Sequence, residues 1–325
     1  MSLSSVASLP PLLISPAQLA SLVSSKKALR ILDATWFLNM PGQPARDGHK
    51  EFLQGPRLPG ALFWDIDNIV TRGESVMNLP NMMPSTSMFA DAAGKHGITR
   101  DTHVVVYDRQ GIFSSPRAAF TFAAFGHKTI SVLDGGLPAW IAAGQDIDAQ
   151  ALTADPSVEE TKYEQPSLLN GWIRSFEEML HNTTLGSRAQ LVLDARPKPR
   201  FEGKSPEPRP DMAAGHIPHS FSLPQSSLLD TQTSGDSTYT TLKSQQDLWK
   251  VITGVVGEDG IEKLRHDASS QGSLGVSLTC GSGMTAATIW LALQQLGING
   301  AIYDESWSGW GRRAQNGEAP VEKSE

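Results

Sequence analysis

"SLTCGSGMTAATIW" occupies Ser277–Trp290 and holds Cys280, the only cysteine in 325 residues. The run "GVSLT" before Cys280 reads as a buried strand. "TAATIWLALQQLG" has apolar residues at helical spacing and stops at Gly297, so it reads as a helix. Between them Cys280-Gly281-Ser282-Gly283-Met284-Thr285 must turn the chain. Two glycines permit positive φ, so consecutive backbone N–H groups can face inward as an anion-holding nest. The helix N-terminus adds partial positive charge. A cysteine at the mouth of this cradle is favoured as thiolate, with donors ready for a negatively charged sulfur on its side chain.

Three other readings compete. A lone cysteine at a strand end is commonly a small buried hydrophobe; the glycine-flanked position between strand and helix argues against that. A Cys-x5-Arg phosphatase needs an arginine at position 286, which is Ala286. "GSGMTA" fits the dinucleotide pattern G-x-G-x-x-G/A, with Asp304 about twenty residues on. Too little chain follows Asp304 to complete such a domain.

The chain around this stretch repeats itself. "RILDATW" around Asp33 is echoed by "LVLDARP" around Asp194, and "RLPGALFWDID" by "HIPHSFSLP". "HVVVYD", ending at Asp108, is echoed by "GVSLTC", and "SVLDGGLPAW" by "AIYDESWSGW". The offsets run from roughly 159 to 172 residues, in one shared order. This predicts a duplicated domain: residues 10–145 and 170–325, with 146–169 as linker. Short apolar runs alternate with longer helical stretches such as "AAFTFAAFGHK". Each copy is therefore expected to be α/β, a mostly parallel sheet with helices on both faces. "DTQTSGDSTY" (Asp230–Tyr239) and "RHDASSQGS" (Arg265–Ser273) read as surface loops.

Composition bounds the rest. Hydrophobic residues make up 39% and charged residues 19%, as in a soluble globular chain of two ordinary domains. A net charge of −7 argues against a nucleic-acid-binding face, and no apolar stretch is long enough to span a bilayer. One cysteine excludes an intrachain disulfide and a CxxC site, no HExxH occurs, and no metal site is expected. Met1–Ala28 lacks acidic residues, which is compatible with a mitochondrial presequence. "SPAQLASLVSSK" equally reads as a first helix capped by Ser15, with Pro16 at its first position. Location is accordingly expected to be mitochondrial or cytoplasmic.

A duplicated α/β domain with a cysteine loop in its second copy resembles the tandem-rhodanese sulfurtransferases. The motifs are "FWDID", "YDRQGIFSSPR", "LDGGLPAW", "RFEGKSPEPR", "GHIP" and "YDESW", spread over nearly the whole chain. The uncharged loop CGSGMT is similar to the CGSGVT loop of the 3-mercaptopyruvate branch; thiosulfate-type members carry a cationic CRKGVT-like loop. The resemblance implies a persulfide on Cys280, formed from 3-mercaptopyruvate with release of pyruvate and passed to a thiophile. Thiosulfate-to-cyanide transfer and sulfur relay toward tRNA thiolation are the alternatives.

The resemblance also assigns roles. It implies that Arg200 and Arg209 bind the donor carboxylate and that Gly281, Gly283, Met284 and Thr285 form the loop cradle. It gives Ser282 a place at the substrate carbonyl or in a proton relay with Asp67. The family's relay histidine falls, eleven residues past Asp67, on Asn78, which cannot take up a proton near neutrality. His219 and Glu305 stand at turn positions where the family has glycine, with Glu305 expected at the cleft rim. Asp108 falls where Cys280 falls in the second copy and cannot carry sulfane sulfur. The first copy is thus expected to be non-catalytic, supplying Asp67 and a wall of an interdomain cleft. Expected partners are a small sulfur donor and a thiol acceptor such as thioredoxin, a low-molecular-weight thiol or a sulfur-carrier protein. No organic cofactor is implied, no nucleic acid is expected to bind directly and no membrane is expected to be engaged.

Overall fold

A computed structural model describes residues 9–25, 28–40, 42–235, 237–269 and 275–324. The first half supplies β1 (Leu13–Ile14), β2 (Leu29–Asp33), β3 (Leu62–Phe63), β4 (His103–Tyr107) and β5 (Ile130–Leu133). They form a parallel sheet in the order β1-β5-β4-β2-β3. The second half supplies β6 (Ile173–Arg174), β7 (Leu191–Asp194), β8 (Ser220–Ser222), β9 (Leu229–Ser234), β10 (Ser237–Leu242), β11 (Val276–Thr279) and β12 (Ala301–Tyr303). Its parallel sheet runs β6-β12-β11-β7-β8, position for position the order of the first. The chain is two α/β domains of one topology. β4 and β11 occupy the two sheet centres, and Asp108 and Cys280 each follow directly.

Strand sequence explains strand place. "HVVVY" and "VSLT" are buried almost throughout, as expected for strands covered on both faces. In the first domain, helices Pro16–Ser24, Gly48–Gln54 and Gly136–Ala142 cover one face through Leu19, Phe52 and Trp140. Helices Thr86–Lys95 and Ser115–Ala124 cover the other. In the second domain, Phe176–Thr183 and Ser306–Gln315 cover one face through Met179, Trp307 and Trp310. The helix Ala286–Gln295 lies on the other.

Ser115–Ala124 and Ala286–Gln295 face each other, so the two domains share one continuous core. Phe120 meets Trp290 edge-on, ring centroids 5.4 Å apart. Removing either ring would cost about 3–5 kcal/mol. Ala286–Gln295 stops because Gly297 adopts φ 74° and its N–H closes on Gln294 O. Ser15 caps the first helix as expected, its Oγ accepting from Gln18 N while Gln18 Oε1 takes Ser15 N. Met1–Ser8 lies outside the described residues.

Two loop expectations are corrected. Residues 230–234 and 237–239 of that run lie in the antiparallel pair β9–β10, where Thr and Tyr favour extended backbone. This ribbon leaves its own domain and docks on the first, Leu242 N donating to Asp134 Oδ1 at 2.9 Å. Residues 265–269 continue a helical segment, Gln245–Ser269, interrupted at Gly257 (φ 70°). The remainder of that expected loop, 270–273, lies outside the described residues. Among the described residues no helix is long and apolar enough to cross a membrane.

Candidate active site

The turn after β11 is pinned from one side. Trp307 N donates to Cys280 O and Ser308 N to Gly281 O, each at 2.9 Å. Ser308 Oγ also donates to Gly281 O at 2.6 Å, and Cys280 N donates to Ser306 Oγ at 3.3 Å. The start of Ser306–Gln315 therefore takes up the carbonyls of the turn. Among the described residues, the backbone N–H groups of Gly281 through Thr285 meet no protein acceptor. Cys280 and Ser282 are both buried, yet both line a cavity of ≈ 200 Å³. That is below the roughly 300–1,000 Å³ of sites for drug-sized ligands, so a small donor fits it.

Arg200, Arg209, Gly281, Met284 and Thr285 line the same cavity, and Trp36 and Phe113 bring the first domain to its wall. Arg200 arches over the loop: a Cβ at Gly281 would lie 3.3 Å from its Nη2. Gly281 is thereby a place for close approach of a cation. Burial pulls the Arg209 guanidinium below the usual arginine range, and the negative charge of a Cys280 thiolate opposes that shift. Its Nη1 donates to Ser308 Oγ at 3.4 Å. Gly283, at φ 79°, does not line the cavity; it turns its carbonyl toward Arg117 Nη1 at 3.4 Å.

The Rhodanese-like domain model matches residues 15–143 and 175–313. The chain belongs to the rhodanese family. Its curated relatives are sulfurtransferases. A probable 3-mercaptopyruvate sulfurtransferase of Schizosaccharomyces pombe is 36% identical over 287 residues, 87% of each chain. The thiosulfate sulfurtransferase TUM1 of Saccharomyces cerevisiae is 34% identical over 306 residues, 92% of this chain and 94% of that one. The crystal structure of Tum1 protein from Saccharomyces cerevisiae superposes with a TM-score of 0.79 at 32% identity, covering 97% of this chain and all of that one. The rhodanese described here is an enzyme of that class, a sulfurtransferase working between a sulfur donor and an acceptor.

Within this rhodanese some expected contacts form and others do not. Ser282 Oγ accepts from Asn81 Nδ2 at 2.9 Å, not from any group of Asp67. Asp67 Oδ1 instead accepts from Trp36 Nε1 at 2.9 Å, one ring removed from the cavity. The asparagine that reaches Ser282 is Asn81 and not Asn78, which lies three residues earlier, directly after the 3-10 turn Glu74–Val76 and left-handed Met77. Glu305 is bonded to Arg313 at 3.0 Å and 3.1 Å, so it presents no free charge to the cavity. His219 does adopt the left-handed turn, at φ 62°.

Besides Asn81, three groups at the site carry no mark in the sequence analysis. Glu207 accepts from Arg200 Nε at 3.0 Å and Arg196 Nη1 at 2.8 Å, and it also pairs with Arg200 Nη2. It thus holds part of Arg200's fork, and its place between the two arginines in "RFEGKSPEPR" was the available signal. Arg117 crosses from the first domain to Asp304 Oδ1 at 2.9 Å, a pairing with no local sequence signal. Ser306 and Ser308 fix the turn from within and beside "YDESW".

Proposed function

We propose that this rhodanese takes sulfur from 3-mercaptopyruvate onto Cys280 as a persulfide and passes it to a thiol. The observation that carries this reading is the contrast between the two turns. After β4, Asp108 Oδ2 accepts from the N–H groups of Phe113, Ser114 and Ser115 at 2.9–3.0 Å and from Ser115 Oγ at 2.7 Å. Its Oδ1 accepts from Gln110 N at 2.9 Å. The equivalent turn after β11 has a cysteine in place of the anion and a row of N–H groups with no acceptor among the described residues. An anionic outer sulfur on Cys280 would supply what the Asp108 carboxylate supplies in the first domain.

The reaction follows. Cys280 thiolate attacks the donor sulfur; the carbon–sulfur bond breaks, and its electron pair passes to carbon as the enolate of pyruvate. The proton from the transferred thiol completes pyruvate, leaving an anionic persulfide on Cys280. A second thiol then takes the outer sulfur and regenerates the Cys280 thiolate, a double displacement. Arg209 and the unshared part of Arg200's fork offer charge-assisted hydrogen bonds to the donor carboxylate. Ser282 lines the same cavity, and its hydroxyl is suited to the keto oxygen where negative charge develops. Asp67 acts through Trp36 in this scheme, and residues 10–145 and 170–325 are the units that meet at the cavity, joined by 146–169.

Thiosulfate is the second donor to test, because several relatives carry that activity in their names. The uncharged loop favours the mercaptopyruvate reading, since of the three arginines lining the cavity Arg196 and Arg200 are already paired with carboxylates, which leaves a dianion Arg209 as the less committed cation. Steady-state rates with both donors at equal concentration test this. Saturation with 3-mercaptopyruvate at a higher kcat/KM supports it, and preference for thiosulfate contradicts it.

A further inference from the structure

Asn81 comes from the first domain, yet it touches the cysteine turn of the second. It is 2% exposed, and its Nδ2 donates to Ser282 Oγ at 2.9 Å. Its backbone adopts φ 58°, a left-handed conformation that asparagine tolerates better than most residues. Its carbonyl accepts from Arg117 Nη2 at 2.5 Å. The same Nη2 pairs with Asp304 Oδ1, and Asp304 Oδ2 accepts from Met83 N at 2.8 Å. Arg117 Nη1 reaches Gly283 O, next to Ser282. One buried ion pair therefore fixes both ends of the Asn81–Ser282 contact.

We propose that Asn81 is a positioning residue: by donating to Ser282 Oγ it leaves the hydroxyl hydrogen aimed into the cavity, as a fixed, non-titrating donor to the donor's keto oxygen. The inference rests on the persulfide reading above. A hydroxyl has two lone pairs and one hydrogen. Asn81 engages a lone pair, so the hydrogen stays available on the side where Ser282 lines the cavity with Cys280. A donor already oriented stabilises a developing enolate more than one that must reorient. An amide carries no ionisation near neutrality, so this contact adds no limb of its own to the pH profile.

The test uses the full-length enzyme with 3-mercaptopyruvate and reads kcat and KM across the neutral range. Asn81→Gly keeps the left-handed backbone accessible and removes the amide. It should lower kcat by about 10²-fold with KM unchanged. Asn81→Asp is isosteric but accepts the Ser282 hydrogen instead of donating, and it should lose activity comparably. Asn81→His restores a donor; it should recover much of kcat and gain an ionisation near the ordinary imidazole value of about 6.5, absent from wild type. Wild-type kcat in folded Asn81→Gly, a loss confined to KM, or no recovery with histidine would overturn the inference alone. Failure of the wild type to gain sulfur, read by intact mass beforehand, would overturn the persulfide reading and this inference with it.

Discussion

Asp108 and Cys280 stand at one position of a fold built twice, each directly after the middle strand of its sheet. Four N–H groups and one hydroxyl converge on the Asp108 carboxylate. The first domain thus shows, with a permanent anion, the arrangement the second offers to a transient one. Asp108→Asn should lower stability by about 2–4 kcal/mol, because an amide reverses hydrogen-bond polarity at one end of the cradle. Turnover per folded molecule should not change. Urea denaturation alongside active-fraction kinetics checks both.

Arg209 and Arg200 line one cavity but are not equivalent. Glu207 already occupies Nε and Nη2 of Arg200, leaving Arg209 as the less committed cation. Arg209→Gln should raise KM for 3-mercaptopyruvate by about 10- to 100-fold, the worth of a charge-assisted hydrogen bond. Arg200→Gln should raise KM less and cost more stability, because Glu207 then keeps Arg196 alone. Steady-state kinetics and thermal melts on the two variants separate these outcomes.

The Arg117–Asp304 pair spans the domain boundary with both side chains buried. Arg117→Met should cost about 3–5 kcal/mol, since Asp304 would be left as an uncompensated buried charge. Combining it with Asp304→Leu should recover much of that loss. Equilibrium denaturation of the two single variants and the double variant measures the coupling.

Asp134 is the counterpart of Asp304 and accepts Leu242 N from the docked ribbon. Burial pushes its carboxyl up to about 6, against a smaller opposing effect of the Leu242 and Gly135 N–H groups. A raised folded-state value means the folded protein holds the proton more tightly. That stability is full below the ordinary aspartate value of 3.8 and is lost as pH rises through about 6. Asp134→Asn should therefore raise the unfolding free energy at neutral pH by about 2–3 kcal/mol, with a matching rise in Tm, and change little in mild acid. Melting curves across this pH window decide it.

The periodicity of short apolar strands and longer helices made the duplicated α/β architecture legible, because buried parallel strands must be apolar on both faces. Cys280 is marked by its glycine-flanked turn between strand and helix, and Arg200, Arg209 and Ser282 by resemblance to the family's short motifs. The partners that cross between domains could not. Asn81 reaches Ser282 201 residues away, and Arg117 reaches Asp304 187 away, through tertiary packing that no local pattern records. Counting eleven residues from Asp67 gives Asn78, whereas Asn81 is the one that meets Ser282, since a residue count carries nothing of the 3-10 turn and left-handed residues between them. The polar run Asp230–Tyr239 looked like a loop because its ribbon binds the other domain largely through backbone and threonine groups.

The most direct test is the intact mass of wild type and Cys280→Ser after incubation with 3-mercaptopyruvate or with thiosulfate at equal concentration. The account predicts a gain of one sulfur on wild type, larger with 3-mercaptopyruvate, removed by a small thiol and absent from Cys280→Ser. A gain that survives in Cys280→Ser, or no gain from either donor, would contradict it.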